Sequence, residues 1–418
     1  MQSEHSKKVA VLTLGCRTNQ SESSIIEGTL KENGVTIVNL SEKPDFCVVN
    51  TCTVTSKGDY NSRQMIRRAA RSGAKVIVTG CYADLNRQSV IKMDGVSEVI
   101  KNSNKMNIAG IIIGQATAPY FGSYSCSRPH LKVQDGCNFA CSYCAVPAAR
   151  GKSHSIHPDE VLKRAELIES LGFREIVLTG IHLGTYGRDL SKPTSISALI
   201  RDLLNKTKRL RIRLSSIEVN ELDEEMLDLL QCDRLCNHLH IPLQSGSDVV
   251  LQKMRRNYSV GSFEKKVLEV ASRVDNIAIG SDVIIGFPGE GISEFNETFN
   301  LLERLPFSYL HAFPFSSRQG TPAASMPDAP DPRTVKDRMQ SILQLGSRKS
   351  ENYRRAQIGR ILEVVTEQRT PEGWAVGTAA NYLKVQTCIQ DYQRGSLVPV
   401  RVNDVSDDAI RGTIINSL

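Results

Sequence analysis

Short strand-like runs alternate with helix-like segments through the first 115 residues, and this alternation constrains the fold more than any other feature. The runs VAVLTLGC (9–16), CVVNTC (47–52) and KVIVTGC (75–81) are rich in β-branched residues. Segments 20–31 and 56–71, between these runs, have the apolar spacing of amphipathic helices. Such alternation predicts parallel strands joined by right-handed crossovers. We therefore expect an α/β domain with a parallel sheet at the N-terminus.

Each of these three runs ends at a cysteine, namely Cys16, Cys52 and Cys81. Parallel strands have their carboxyl ends at one edge of the sheet, where α/β folds bind ligands. The three thiols are therefore predicted to converge on one site.

A second alternating series follows a linker rich in small residues and proline. Its candidate strands are 130–136, 175–181, 211–217, 238–244, 278–287 and 309–315. Helical stretches separate them, and the clearest begins at Pro158 and ends at Gly172. Six βα-type units predict a central partial (βα)6 barrel with its site at the carboxyl ends of the strands.

The last part of the chain has a different pattern. A Pro/Asp-rich hinge, 326–334, leads into a basic helical stretch and then into four strand-like segments separated by turn residues. These segments predict a small antiparallel β-barrel, a fold that often binds oligonucleotides. The predicted domains are 1–118, 123–355 and 356–418.

Composition restricts the setting in which this chain works. It is 40% hydrophobic and 23% charged, with a formal net charge of +7, which permits a nucleic-acid partner without requiring one. No apolar run approaches the roughly 20 residues that span a membrane, and the N-terminus lacks a secretory signal pattern. We therefore expect a cytoplasmic protein with no membrane partner. In that compartment clustered cysteines are expected to bind metals or act in redox chemistry rather than form disulfides.

The strongest local motif is C-x3-C-x2-C, formed by Cys137, Cys141 and Cys144 directly after a candidate strand. A structural zinc site normally takes four protein ligands. An iron–sulfur cluster held by three cysteines keeps one iron free for a small molecule. A metal centre at this motif is therefore predicted.

With Tyr143 before its last cysteine, this motif resembles the signature of the radical S-adenosylmethionine (SAM) superfamily. The strand-end cysteines resemble those of the methylthiotransferases within it. Among these, the MtaB type is the most similar, on the segments TLGCRTNQSES, NTCTVTSKGDYNSRQ, VTGCYAD, HLHIPLQSGS, DVIIGFPGE and HAFPFSSRQGTPAA. The resemblance covers nearly the whole chain and implies a TRAM-like C-terminal barrel.

The resemblance implies a tRNA-modifying enzyme. It would add a methylthio group to carbon 2 of N6-threonylcarbamoyladenosine at position 37, with SAM as both the methyl donor and the source of a 5′-deoxyadenosyl radical. Two 4Fe-4S clusters are implied, one on each cysteine triad. The implied partners are the tRNA anticodon stem-loop, an external electron donor and a sulfur source.

Candidate SAM contacts come from strand ends and from the resemblance. Gly180, after Thr179, lets backbone approach a ligand, and by resemblance it matches the glycine motif that holds the methionyl amino group. The remaining candidates are polar or aromatic residues at strand ends or in the cluster motif: Tyr143, Glu218, Gln244 and Asp282.

Basic and aromatic residues suggest an RNA surface. Arg63, Arg67 and Arg71 lie at helical spacing on one face of a segment that follows Cys52, where they can position phosphates. Trp374 and Tyr382 in the terminal barrel are candidates for base stacking.

Other interpretations remain open. A related methylthiotransferase would act on isopentenyladenosine in tRNA or on a ribosomal protein. A non-catalytic RNA-binding protein would use the cysteines for structural zinc. Cys232, Cys236, His238 and His240 also allow a zinc site, although alternation along a strand places the two histidines on one side, where they would line the barrel.

Overall fold

The computed structural model describes residues 6–122, 124, 126–371, 373–388, 393–406 and 409–415. They form two compact units: the first comprises residues up to 125 with 134–140 and 144–154, and the second comprises 126–133, 141–143 and the chain from 155 onward. No helix among the described residues has both the length and the apolar character needed to cross a bilayer.

Regular elements of the first unit alternate as the sequence predicts. In chain order they are β1 (Lys8–Thr13), α1 (Arg17–Glu32), β2 (Thr36–Ile37), β3 (Phe46–Thr51), α2 (Ser56–Arg71), β4 (Lys75–Gly80), α3 (Cys81–Leu85), α4 (Arg87–Ile91), β5 (Val96–Val99) and α5 (Ile108–Ile113). The five strands form one parallel sheet in the order β2-β1-β3-β4-β5. The N-terminal parallel α/β domain is thereby confirmed.

Apolar residues of this sheet are buried on both faces. Ile26 and Leu30 of α1 pack with Val48 of β3, whereas Ile66 of α2 packs with Val49 on the other face. Burial on both sides explains why the central strands read as continuous β-branched runs rather than as an alternating pattern.

Between residues 126 and 155 the chain contributes to both units. It forms β6 (His130–Lys132), β7 (Gln134–Asp135), α6 (Val146–Arg150) and β8 (His154–Ser155). β6 belongs to the second unit, while β7 and α6 belong to the first.

Six parallel strands organise the second unit. The following elements lead up to its barrel: α7 (Pro158–Ser170), β9 (Glu175–Thr179), α8 (Ile196–Lys206), β10 (Arg211–Leu214), α9 (Glu224–Leu229), β11 (His238–His240), α10 (Asp248–Lys253), α11 (Val260–Arg273), β12 (Ala278–Ile285), α12 (Ile292–Arg304), β13 (Tyr309–Pro314) and α13 (Pro332–Arg355). The strands make two parallel sheets, β10-β9-β6 and β11-β12-β13, which isolated bridges such as Ser216–His240 connect. This is the predicted partial (βα)6 arrangement.

A closed five-stranded barrel ends the second unit. Its strands are β14 (Ile361–Arg369), β15 (Trp374–Ala379), β16 (Lys384–Cys388), β17 (Leu397–Val405) and β18 (Ile410–Ile414), in the order β14-β15-β16-β18-β17. The predicted small barrel is confirmed, with two refinements. β18 lies outside the four predicted segments, and its pairing with β16 is parallel, whereas the other pairs are antiparallel.

Buried ion pairs join this barrel to the parallel strands within the second unit. Glu175 of β9 accepts hydrogen bonds from Arg211 and Arg213 of β10, and all three side chains are almost fully buried. Arg211 also donates to the carbonyl oxygen of Glu363, and Arg213 donates to those of Ala379 and Ala380. Burial alone would raise the pKa of Glu175, but the two guanidinium groups hold it well below its ordinary value.

We expect Glu175→Gln to lower the free energy of unfolding by about 3 to 5 kcal/mol, because it removes one partner of a buried ion pair. Urea unfolding followed by the fluorescence of Trp374, the only tryptophan of the chain, measures this change. Since the folded carboxyl has a lowered pKa, its contribution is present above the unfolded pKa of about 4.3 and lost as the pH falls below it.

Glu303→Gln is the matched control, since Glu303 forms an exposed pair with Arg348. Exposed pairs contribute at most about 1 kcal/mol. Equal stability losses in the two variants would contradict the anchoring role of Glu175.

Candidate cluster and cofactor sites

Cys16, Cys52 and Cys81 all lie at the carboxyl edge of the five-stranded sheet. Cys16 immediately precedes α1, Cys52 follows β3, and Cys81 is the first residue of α3. β3 pairs with β1 on one side and with β4 on the other. The structure thus brings the three thiols to one edge of the first unit, and their role as ligands remains a prediction.

Two glycines allow the strand ends to approach so closely. Gly15 has φ +97°, and a Cβ atom there would lie 2.8 Å from the Sγ atom of Cys52. Gly80 has φ +98°, and a Cβ atom there would lie 2.3 Å from the carbonyl oxygen of Thr51. Neither position has room for a side chain, so both turns depend on glycine.

The three thiols influence one another electrostatically. Burial raises the pKa of the Cys52 thiol to about 11, and the neighbouring Cys16 and Cys81 also contribute to the increase. Burial raises the pKa of Cys81 as well, while Arg150 and Lys105 oppose that shift. Metals bind the thiolate, so these thiols would lose their protons on binding a metal centre.

The donor set bears on the kind of metal centre. Three thiols converge at this edge, whereas a structural zinc site normally takes four protein ligands, and an iron–sulfur cluster can be held by three cysteines. In the part of the chain that the structure describes, one group of three ligand-type side chains has all its ligand atoms within 4.8 Å of one another, and it is His240, Asp282 and His311.

The C-x3-C-x2-C motif is fixed by hydrogen bonds within each unit. In the first unit the Cys137 amide donates to the carbonyl oxygen of Gly151 at 3.1 Å, and the Phe139 amide donates to Cys137 Sγ at 3.4 Å. In the second unit the Ser142 hydroxyl donates to the Lys253 carbonyl at 2.7 Å. The Tyr143 ring meets Phe287 edge-on, with ring centroids 6.4 Å apart.

Glu218, a predicted SAM contact, is paired with Arg256 in the second unit. Arg256 donates to the Glu218 carboxylate and, through Nη1, to Cys141 Sγ at 3.5 Å. Its guanidinium also lies 5.0 Å from the centroid of the Tyr258 ring. Arg256 therefore connects a strand-end carboxylate to a cysteine of the cluster motif.

The other predicted SAM residues are strand-end or loop positions. Thr179 is the buried last residue of β9, and its carbonyl accepts the Val133 amide at 2.9 Å; Gly180 follows it. Gln244 has φ +66°, and its backbone is hydrogen-bonded to β12 through its amide and its carbonyl. Whether these residues contact SAM stays a prediction.

Asp282 belongs to a chain of hydrogen bonds that crosses β11, β12 and β13. Its Oδ1 atom lies 2.9 Å from His240 Nε2 and 3.2 Å from His311 Nδ1. The Tyr309 hydroxyl lies 3.1 Å from His240 Nδ1 and 2.8 Å from His238 Nε2. Burial alone would raise the pKa of Asp282, but the two imidazoles hold it well below its usual value. A ligand of Asp282 would have to share this carboxylate with two histidines.

Cys232 and Cys236 do not join His238 and His240 in a zinc site. Both histidines turn to Tyr309, whereas Cys236 Sγ lies 3.8 Å from the buried Glu175 carboxylate. The structure therefore does not assemble that alternative.

The predicted RNA-binding residues differ in how exposed they are and in the side-chain contacts they already make. Arg63 donates to the Tyr82 hydroxyl at 3.4 Å, whereas Arg67 and Arg71 of the same helix are exposed. Trp374 is half-buried, with the Arg411 guanidinium 5.6 Å from its ring centroid. Tyr382 stacks on His238 with centroids 4.5 Å apart, so one face of its ring is already used.

Sequence reasoning missed two arginines that contact predicted ligands. Arg256 contacts Cys141, and Arg150 donates through Nε to Cys81 Sγ at 3.3 Å. Arg150 lies six residues after Cys144, and this closeness in sequence to the cluster motif was the signal that could have pointed to it.

Two protein families match this chain, one in each of the regions that carry the cysteine triads. Residues 131–302 match the Radical SAM superfamily, and residues 8–101 match a family described as Uncharacterized protein family UPF0004. In fold, the chain resembles the radical S-adenosylmethionine methyltransferase TsrM from Kitasatospora setae, with a TM-score of 0.56, 15% identity and 77% of each chain covered.

Full-length relatives carry more specific names. The tRNA-2-methylthio-N(6)-dimethylallyladenosine synthase of Acetivibrio thermocellus is 27% identical, covering 96% of this chain and 90% of that protein. The threonylcarbamoyladenosine tRNA methylthiotransferase MtaB of Bacillus subtilis is 36% identical, covering 94% of this chain and 93% of that protein. With this identity over almost its whole length, the chain belongs to the MtaB family of radical SAM methylthiotransferases.

Proposed function

We propose that this protein adds a methylthio group to carbon 2 of N6-threonylcarbamoyladenosine at position 37 of tRNA, in the anticodon stem-loop. The observation that carries the proposal is the 36% identity to an MtaB protein over more than nine-tenths of both chains. The relative that acts on dimethylallyladenosine is less similar, at 27% identity, which favours the threonylcarbamoyl substrate.

Two cysteine triads support a chemistry with two 4Fe-4S clusters. Cys137, Cys141 and Cys144 would hold one cluster, and Cys16, Cys52 and Cys81 would hold a second, which we call the auxiliary cluster. Each triad would leave one iron of its cluster without a protein ligand. When bound, the first cluster supplies the electron that cleaves SAM, and the auxiliary cluster supplies the site where sulfur is carried; an external electron donor and a sulfur source are required.

Residues of the second unit would bind and orient SAM. Arg256 fixes the Glu218 carboxylate in the loop that follows β10, where it can accept hydrogen bonds from ribose hydroxyls. Tyr258 supports Arg256 through its ring and accepts the Nε–H at 3.2 Å. The backbone at Thr179 and Gly180, together with Gln244, Asp282 and Tyr143, would complete the pocket. These groups position the substrate and exclude water, while the cofactors supply the reactive chemistry.

The tRNA would approach the first unit over α2. This helix begins four residues after Cys52 and presents Arg67 and Arg71 to solvent in its last turns, about 16 to 22 Å along the helix axis from its start, where they can position phosphates of the RNA backbone. Trp374, with Arg411 beside it, offers a ring for base stacking in the terminal barrel.

Replacing Cys137, Cys141 and Cys144 by alanine should reduce the iron content after anaerobic reconstitution from about eight to about four atoms per chain. Reductive cleavage of SAM should vanish, because the cluster that delivers the electron is gone. Iron and sulfide analysis with an assay for 5′-deoxyadenosine measures both effects. Full SAM cleavage by this variant would contradict the assignment of the motif, and zinc in place of iron would support the non-catalytic alternative.

The complementary variant, with Cys16, Cys52 and Cys81 replaced by alanine, should behave differently. It should also lose about half of the iron but still cleave SAM, because the other triad is intact. Nucleoside analysis of tRNA carrying threonylcarbamoyladenosine should find no methylthio product. Wild-type amounts of product from this variant would refute the two-cluster mechanism. A wild-type protein that modified isopentenyladenosine tRNA alone would reassign the substrate.

Arg67→Ala combined with Arg71→Ala should weaken binding of an anticodon stem-loop. The slope of log affinity against log salt should fall by about one for each phosphate that the variant no longer binds. Arg201→Ala, at an exposed arginine on α8, is the matched control and should leave the slope unchanged. Identical slopes for all three proteins would remove α2 from the RNA surface. Deleting the terminal barrel is a poorer test, because it would uncover Arg211 and Arg213.

A further inference from the structure

Arg150, at the end of α6, is a buried arginine in contact with one of the predicted cluster ligands. Its side chain is 1% exposed, and Nε donates to Cys81 Sγ at 3.3 Å. Nη1 donates to both carboxylate oxygens of Asp135, at 2.8 and 3.0 Å, and to Glu22 at 3.0 Å. Nη2 donates to Asn19 and to Glu22. The guanidinium therefore has a carboxylate or amide acceptor on its two terminal nitrogens and a sulfur acceptor on the third.

Carboxylates engage the terminal nitrogens of Arg150 without the cysteine. Lys105, which is also buried, donates to Glu22 at 2.6 Å. Two cations, Arg150 and Lys105, thus face two carboxylates, Glu22 and Asp135. An arginine stays protonated in proteins, so its charge next to Cys81 is permanent. Ion pairing explains the hydrogen bonds that Nη1 and Nη2 of Arg150 donate. It does not explain why Nε donates to a sulfur atom.

Asn19 extends this network to the other two strand ends. Its Nδ2 donates to the carbonyl oxygen of Leu14 at 2.7 Å and to that of Thr51 at 3.0 Å. Leu14 lies two residues before Cys16, and Thr51 lies one residue before Cys52. One hydrogen-bonded group of residues therefore touches the backbone leading to two predicted ligands and the sulfur of the third.

We propose that Arg150 is a positioning residue that raises the reduction potential of the auxiliary cluster by donating a charged N–H···S hydrogen bond to Cys81. The proposal rests on the proposed function, since it requires an iron–sulfur cluster on Cys16, Cys52 and Cys81. Reduction adds negative charge to a cluster, and a nearby cation and a hydrogen bond to sulfur both stabilise that charge.

The position of Arg150 in the chain gives this contact a further consequence. The residue lies six positions after Cys144, at the end of the short helix that follows the C-x3-C-x2-C motif. The segment that carries a ligand of one predicted cluster therefore also sets the electrostatics of a ligand of the other. A substitution in this segment is expected to change the auxiliary cluster even when the six cysteines are intact.

The test uses the full chain with Cys137, Cys141 and Cys144 replaced by alanine, so that the auxiliary cluster alone gives a signal. In this background Arg150→Gln should make the midpoint potential more negative. We expect at least a tenfold change in the ratio of oxidised to reduced cluster at a fixed potential, which for one electron corresponds to about 59 mV. Arg150→Lys, which keeps the charge but not the guanidinium geometry, should fall between Gln and wild type. Electron paramagnetic resonance during a redox titration measures these potentials.

Two controls separate this effect from general damage. Lys105→Met removes a buried charge that does not touch sulfur, so it should shift the potential less than Arg150→Gln. Lys31→Gln removes an exposed charge in the last turn of α1, the end of that helix far from Cys16, so it should leave the auxiliary potential unchanged. Iron analysis establishes that each variant carries about four irons.

The outcomes distinguish the inference from the function on which it rests. If Arg150→Gln binds no iron, the midpoint potential of the auxiliary cluster is compared between Arg150→Lys and the protein that keeps Arg150. An unchanged midpoint potential in every Arg150 variant that binds about four irons would overturn the proposal. If no cluster forms even with Arg150 present, the auxiliary cluster and the proposed function fail instead.

Discussion

Parallel pairing of β1, β3 and β4 is the constraint on which the predicted metal chemistry of the first unit depends. Parallel strands all end at one edge, so cysteines 36 and 29 positions apart in the sequence become neighbours. The pairing of Val9 with Phe46 and of Asn50 with Thr79 fixes how far each strand projects. Because side chains alternate along a strand, a slip of one residue would reverse the faces of the buried valines. The hydrophobic faces of the sheet therefore hold the three thiols in register.

Local patterns predicted the strands and the position of the cysteines at the strand ends, because both signals lie within short segments of sequence. They could not predict Arg150 and Arg256, since the destination of a long side chain is set by residues far away in the chain. Arg150 reaches Glu22, 128 positions earlier, and Arg256 reaches Cys141, 115 positions earlier. The parallel pairing of β18 with β16 was missed for the same reason: closure of the barrel, not the local sequence, decides which strand lies beside the last one.

Buried arginines serve two different purposes in this protein. Arg211 and Arg213 share one carboxylate, Glu175, and their remaining donors go to backbone carbonyls of the barrel. The excess positive charge there is stabilised by peptide dipoles, which attach the barrel to β10. At Arg150 the terminal nitrogens donate to the carboxylates of Asp135 and Glu22, and the acceptor of Nε is a thiol. A thiolate accepts such a hydrogen bond more strongly than a thiol does, so this donor suits the metal-bound Cys81 of the proposed function.

The aromatic residues Tyr382 and Trp374 of the terminal barrel also have different roles. One packs the barrel against the parallel strands, and the other is suited to contact RNA. Tyr382 has φ +68°, a conformation that bulky residues adopt only where their surroundings impose it. Its surroundings are the His238 ring and the Arg213 guanidinium, 4.5 and 5.4 Å from the ring centroid. The Tyr382 ring therefore contributes to the contact between the barrel and the parallel strands. Trp374, at the start of β15, has the cation of Arg411 near its ring instead. An indole next to a guanidinium combines a stacking surface for a base with a charge for a phosphate, so of the two rings Trp374 is the better suited to RNA.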